Sequence, residues 1–375
     1  MNIHHCYTLR NLTLAAVLTI GFASSALAQE RALFVDLNSK EATDLGTLAG
    51  GYYSDARGIS DAGQVVGISA TDIAQHAFLT GPNGVGMTDL GTVGGDFSYA
   101  YGINNAGQVV GASSPDNIGL HAFITGPDGV GMTDLGTLTE HHYSEARGIN
   151  DARQVVGISG TDNSPQHAFI TGPNGVGMTD LGTLGGDFSV AYGINDMGQV
   201  VGESSNTGNA HQHAFITGPD GVGMIDLGTL GGDSFAYGIN DMGQVVGASD
   251  TANGQRHAFI TGPDGVGMTD LGTLGGVESR AYGINDMGQV VGEYVTANGQ
   301  HHAFITGLNG VGMVDLASLV HLPTGFTNFR ATAINNHGQL AAVGDVPVVP
   351  EPEMYAMLLS GLGLMGFLAR RRATA

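Results

Sequence analysis

Residues 213–249 read HAFITGPDGVGMIDLGTLGGDSFAYGINDMGQVVGAS, and the chain repeats this pattern seven times. Close copies begin at His76, His121, His167, His257 and His302, and a degenerate first copy opens at Arg31 with RALF in place of HAF. The aspartate of the DLG segment recurs at Asp44, Asp89, Asp134, Asp180, Asp226, Asp270 and Asp315, a period of 44 to 46 residues. A fixed period of this length is the signature of a repeat architecture in which each unit is one supersecondary element.

Each unit carries two tight-turn signals, Gly-Pro-Asp/Asn-Gly (218–221) and Asn-Asp-Met-Gly (240–243). Both suit a type I turn followed by a left-handed glycine, a common hairpin connection. Four short segments flank them: HAFIT, GMTDLGTL, AYGIN and QVVG. With 63 glycines in 375 residues, each costing a helix about 1 kcal/mol relative to alanine, helix is excluded. AFI and QVV are apolar without alternation, which suits strands covered on both faces. A four-stranded antiparallel meander covered on both faces is a propeller blade between neighbours. Seven copies of each strand type predict an all-β, seven-bladed β-propeller of four-stranded repeats, with a β-solenoid or open array as the alternative. If the GIN-type strand starts each blade, the last two strands of the chain pair with the first two and close the ring. If the HAF-type strand starts it, every blade is continuous, and spacing does not choose between the two.

The pattern HAF, then DLGTLGG, then GINxxGQVVG resembles the extracellular HAF repeat over residues 31–344. This chain departs from the usual pattern, which has a tryptophan shortly after HAF; here that neighbourhood reads ITG and the chain has no Trp. The C-terminus resembles a PEP-CTERM sorting signal: Val349-Pro350-Glu351-Pro352, the apolar run 354–369, then Arg370-Arg371-Arg372. Sixteen residues of helix span about 24 Å, short but membrane-spanning with snorkelling arginines. The arginines would hold that end in the cytoplasm. The resemblance implies a Gram-negative bacterium, transient inner-membrane anchoring and cleavage by an exosortase near the Pro-Glu-Pro box. At the other end, residues 1–28 read as a signal peptide, with Arg10, the apolar run 12–22 and cleavage by signal peptidase between Ala28 and Gln29. The expected domains are therefore 1–28, a propeller over 29–345, and a sorting signal over 346–375. Gly361, Gly363 and Gly366 spell a dinucleotide fingerprint, but inside a terminal apolar segment and not in a βαβ unit it carries no such meaning.

The one cysteine, Cys6, leaves with the signal, so the mature chain forms no disulfide. The full-chain net charge of −22 becomes more negative once Arg10 and Arg370–Arg372 are removed. Such a chain is not expected to bind nucleic acid.

Strand alternation places both tight turns of each unit on one face and both longer loops on the other. The loops vary most between units, and binding residues concentrate in loops shown by a rigid scaffold. The third unit departs furthest from the pattern. His141, His142, Tyr143, Glu145 and Arg147 are the expected ligand-binding patch of its loop face, and Arg153 replaces a turn glycine on the opposite face. The recurring histidines are expected to bond neighbouring backbone, and the recurring aspartates to tie strands or blades together. No cofactor or catalytic residue is expected, and calcium on the loop face is the alternative the aspartates leave open. The function expected is non-catalytic: a structural or binding component of the envelope or extracellular polysaccharide matrix, the matrix being implied by the sorting-signal family. A carbohydrate-active enzyme and a calcium-dependent adhesin are the alternatives.

Overall fold

The computed structural model describes residues 28–116, 119–139, 143–160 and 165–347. Residues Glu30–Asp345 form one compact unit, built of seven four-stranded sheets. In the first, Ser54–Ile59, Val65–Ala70, Gln75–Thr80 and Met87–Asp89 follow one another as an antiparallel meander. Five more sheets repeat this order, opening at Ser98, Ser144, Gly185, Gly231 and Glu278. Each opening strand touches its counterparts on both neighbouring sheets, and the last touches the first. The GIN-type strands therefore surround an axis, and the fold is a closed seven-bladed propeller.

The seventh blade decides which strand comes first. It joins Thr327–Ile334 and Gln339–Pro347 to Ala28–Asp36 and Glu41–Gly46, in the order outer to inner Glu41–Gly46, Ala28–Asp36, Gln339–Pro347, Thr327–Ile334. GIN-type strands start each blade, and the two ends of the chain close the ring together.

The core lies between blades. Phe78, Phe123, Phe169, Phe215, Phe259 and Phe304 are fully buried, and each packs on the preceding blade, as Phe259 does on Val201, Ala214 and Ile216. Burying one such ring contributes roughly 1.5–3 kcal/mol. The three consecutive residues Ala214, Phe215 and Ile216 are 0–2% exposed, so the non-alternating runs are covered on both faces as their composition predicts.

Polar side chains stitch the blades. The Ser189 hydroxyl accepts from the Ala168 N–H at 2.9 Å and donates to the Gly182 carbonyl at 2.6 Å. Ser54, Ser98, Ser144, Ser234 and Ser279 make the same pair of bonds. On the tight-turn face the first two residues of each turn, Asn-Asp in four blades and Ser60-Asp61, Asn104-Asn105 and Asn335-Asn336 in the others, close a second stitch. The Asn195 amide donates to the Asn240 carbonyl, while Asp241 accepts from the Asp196 N–H at 2.9 Å. The latter bond recurs at all seven interfaces, ending with Asn336 N–H to Asp61 at 3.0 Å. One residue per blade thus caps its neighbour's backbone around the whole circle.

The two tight turns of a blade lie side by side, with the Gly221 N–H donating to the Gly198 carbonyl at 3.1 Å. The Asn-Asp-Met-Gly turn has the expected form. The Gly-Pro-Asp-Gly turn does not: Asp220 is itself left-handed, with φ 55°, ahead of Gly221 at φ 73°. Asp and Asn tolerate that conformation better than other side chains, and only those two types stand there in the six intact copies.

Candidate functional site: a ring of bulge residues on the loop face

Every inner strand slips register against its neighbour at the same place, between Ala56 and Gly58 in blade one and at the equivalent step in the other six. A β-bulge leaves one residue unpaired and re-aims its side chain. The seven unpaired residues are Arg57, Tyr101, Arg147, Tyr192, Tyr237, Tyr282 and Thr332, and all seven line one cavity of about 430 Å³ on the axis, joined by Asp55 and Arg330. Inner strands run from the loop face to the tight turns, so this cup opens toward the variable loops.

In six blades glycine on the second strand makes room for the bulge, as Gly202 does opposite Ala191; in blade seven Ala342 stands there, opposite Ala331. A Cβ on Gly202 would lie 1.8 Å from the Val190 carbonyl oxygen, so no other residue fits without moving the inner strand.

The ring is polarised. From blade seven to blade three run Arg330, Arg57 and Arg147; from blade four to blade six run Tyr192, Tyr237 and Tyr282. Tyr101 sits between two guanidiniums, Arg57 at 4.8 Å and Arg147 at 5.4 Å from its ring centroid. Arg147 also reaches Tyr192, at 5.2 Å. Each arginine is held by a carboxylate: Arg57 by Asp55 at 2.9 Å, Arg147 by Glu145 at 2.7 Å, and Arg330 by Glu30 at 2.8 Å. The Arg147 Nε is buried with no acceptor among the described residues.

On the aromatic side the Tyr192 hydroxyl donates to Glu203 and the Tyr282 hydroxyl to Glu293, each at 2.7 Å. Burial, followed by those carboxylates, pushes both phenols well above their ordinary range. Tyr237 lies between them, with neighbouring rings at 5.4 Å and 5.7 Å; burial and then Glu203 push it up to about 12. Its hydroxyl has no hydrogen-bond partner among the described residues. The two glutamates differ. Burial raises Glu203 despite its Tyr192 bond. In Glu293, burial is outweighed by hydrogen bonds from Tyr282 and His301 and by the His301 and Arg280 charges, leaving it lowered.

Of the expected patch, Tyr143, Glu145 and Arg147 come together along one strand face. Glu145 is buried between the other two, and its carboxylate raises Tyr143 after burial has done so. His141 and His142 lie outside the described residues, as do Val349, Pro350, Glu351, Pro352, Arg370, Arg371, Arg372 and nearly all of residues 1–28; Ala28 and Gln29 open the first strand. Arg153 is left-handed with φ 65°, on the tight-turn face as expected, and its guanidinium donates to Asn174 at 2.9 Å. Sequence reasoning passed over Tyr101, Tyr192, Tyr237 and Tyr282. Their signal was the position between the recurring Ala and Gly of this strand, which holds Tyr in four copies, Arg in two and Thr in the last.

The recurring histidines find a carboxylate and not backbone. The Nδ1 atoms of His76, His121, His167, His213, His257 and His302 lie 2.7–3.0 Å from the aspartate of the adjoining outer strand. Antiparallel register pairs that aspartate with the phenylalanine two residues on, as Asp226 with Phe215, so His213 is its diagonal neighbour on the same face. The free carboxylate oxygen then accepts from a glycine N–H two residues later, as at Gly228.

A family model described as the PEP-CTERM protein-sorting motif matches residues 348–372. The chain ends in a PEP-CTERM signal. This motif implies processing by an exosortase during bacterial export to the cell surface or extracellular space. No curated protein is similar to the chain in sequence. Among solved structures it is similar to the β-propeller domain of the Trilobed protease from Pyrococcus furiosus, at 12% identity and TM-score 0.52, over 74% of this chain and 85% of that one. It is also similar to a puromycin hydrolase at 11% identity and TM-score 0.50, over 78% of this chain and 53% of that one. A putative TolB from Agrobacterium tumefaciens matches at 12% identity and TM-score 0.49, over 86% and 99% of the two chains. At these identities the likeness shows the fold alone. Among the described residues no helix is long and apolar enough to cross a membrane; the apolar run 354–369 lies outside them.

Proposed function

We propose that this is a HAF-repeat propeller, exported through a cleaved signal peptide, that serves as a non-catalytic binding component of the cell envelope or extracellular polysaccharide matrix. The loop-face cup is its working site. The observation that carries this reading is the ring of bulges, which turns seven side chains of three kinds into one cavity on the face where the loops vary. We assign His141, His142, Tyr143, Glu145 and Arg147 to the same binding role; of these Arg147 lines the cup itself, and Glu145 holds it at 2.7 Å. A binding role is favoured over catalysis by the lining: among the described residues it contains no Ser, Cys, His or Glu, and its one carboxylate, Asp55, is engaged by Arg57. A nucleophile with an adjacent base is absent from that set.

The sorting half of the proposal is tested in the host cell. Deleting Arg370–Arg372, or replacing Pro350 and Pro352, is expected to leave unprocessed precursor in the inner membrane. Release of normal-sized product would overturn it. The binding half is tested by fractionating the processed protein against the purified matrix polysaccharide. Co-sedimentation is expected, and its absence would remove the matrix role.

A further inference from the structure

We infer that the cup takes a carboxylate-bearing sugar residue, the end or a branch of an acidic polysaccharide; this deepens the binding role just proposed and rests on it. The first reason is where the cations are. The chain has 12 Lys and Arg against 34 Asp and Glu. Eight of the twelve lie in the propeller, and four of those eight, Arg57, Arg147, Arg280 and Arg330, stand on inner strands. Three of the four line the cup. Half of the propeller's cations thus stand on the strands around its axis, and the three in the cup are each held by one carboxylate, Asp55, Glu145 or Glu30.

The second reason is the opposite wall. Tyr192, Tyr237 and Tyr282 stand at 68° and 45° to one another, and Glu203 and Glu293 fix the outer two by their hydroxyls. They form a curved, preorganised apolar surface, with the Tyr237 hydroxyl available to bond a ligand. Such a wall suits the C–H face of a pyranose, while guanidinium forks across the cavity suit a carboxylate. The arginines are already paired through one or two nitrogens each, so they remain in place in the empty cup with further N–H donors to offer. A neutral sugar would use the tyrosines alone. An acidic peptide would use the arginines, but the wall is built of side chains and offers little for a peptide backbone. The volume lies in the lower range of small-ligand pockets, which fits one terminal or branch residue better than a polymer strand crossing the face.

The experiment is calorimetric titration of the processed protein with oligouronates of two or three residues, the same oligomers after reduction of their carboxyl groups, and an acidic peptide of equal charge. Oligouronates are expected to bind, the reduced oligomers at least tenfold more weakly, and added salt to weaken only the former. Arg57→Gln and Tyr237→Ala should each cost at least tenfold, with unchanged thermal melting as the folding check. Where either variant fails to fold, the reduced oligomers decide the matter on the unaltered protein. Equal binding of charged and reduced oligomers would overturn the inference and leave the polysaccharide role standing. Binding of the peptide with no oligosaccharide bound would overturn both.

Discussion

At the scale of single residues, glycine divides into two physical kinds in this protein. Gly202 faces the Val190 carbonyl of the bulged inner strand, and an added Cβ would meet that oxygen at 1.8 Å. Gly223 has φ 71° and nothing within 4 Å of its missing Cβ. Gly202→Ala is expected to destabilise the propeller by about 3 kcal/mol or more, because either the bulge or the blade must shift. Gly223→Ala should cost only about 1 kcal/mol, the strain of a left-handed alanine. Denaturant unfolding of the two variants checks the difference, and equal losses would show that the bulge can relax. Arg153 already occupies a left-handed position, so Arg153→Gly is expected to be neutral or slightly stabilising by the same assay.

At the scale of elements, the inner strands do two jobs: they hold the blades together and they furnish the cup. Ser189 serves the first. Removing its hydroxyl leaves the Ala168 N–H and the Gly182 carbonyl buried without partners, so Ser189→Ala is expected to cost about 1–3 kcal/mol and to lower the melting temperature without altering the cup. The bulge tyrosines serve the second and bring a pH dependence with them. Tyr192, Tyr237 and Tyr282 are harder to deprotonate in the folded chain than the ordinary phenol at 10.0, with Tyr237 at about 12. Above the ordinary value the folded state therefore binds more protons than the unfolded state, and stability falls as pH rises. Their contribution is complete below about pH 10 and is lost progressively through the folded values. Thermal melts should hold steady up to that point and then drop steeply, with tyrosinate absorbance appearing only as the protein unfolds. Tyr237→Phe should make the alkaline drop shallower.

At the scale of the whole molecule, stability rests on closure. Blade seven borrows its outer two strands from the N-terminus. Around the ring, Asn335 donates to the Ser60 carbonyl at 2.9 Å and Thr332 to the Ala56 carbonyl at 2.9 Å. Deleting residues 31–50 removes Leu33 and Val35, both fully buried, and bares the edge of Gln339–Pro347. Because each repeat is stable only against its neighbours, the truncated protein is expected to melt more than about 10 °C lower, several kcal/mol of lost stability in a domain of this size. Melting like the parent would mean the ring does not need its closure.

The period, the strand types, the two turn sites and the terminal sorting motif were legible in the residues because each depends on chain neighbours: a glycine after a turn, an apolar run, a Pro-Glu-Pro box. The identity of the inner strand was not, since both strand orders satisfy the same local pattern, and only the pairing of residues 28–46 with 339–347 chose between them. The third unit's departure from the repeat pointed to Tyr143, Glu145 and Arg147, which the structure brings side by side. The tyrosine ring was not visible, because Ala-Tyr-Gly-Ile-Asn reads as an ordinary strand wherever it occurs. A bulge is a relation between two strands, and seven bulges become one cavity only when the seven blades meet around an axis.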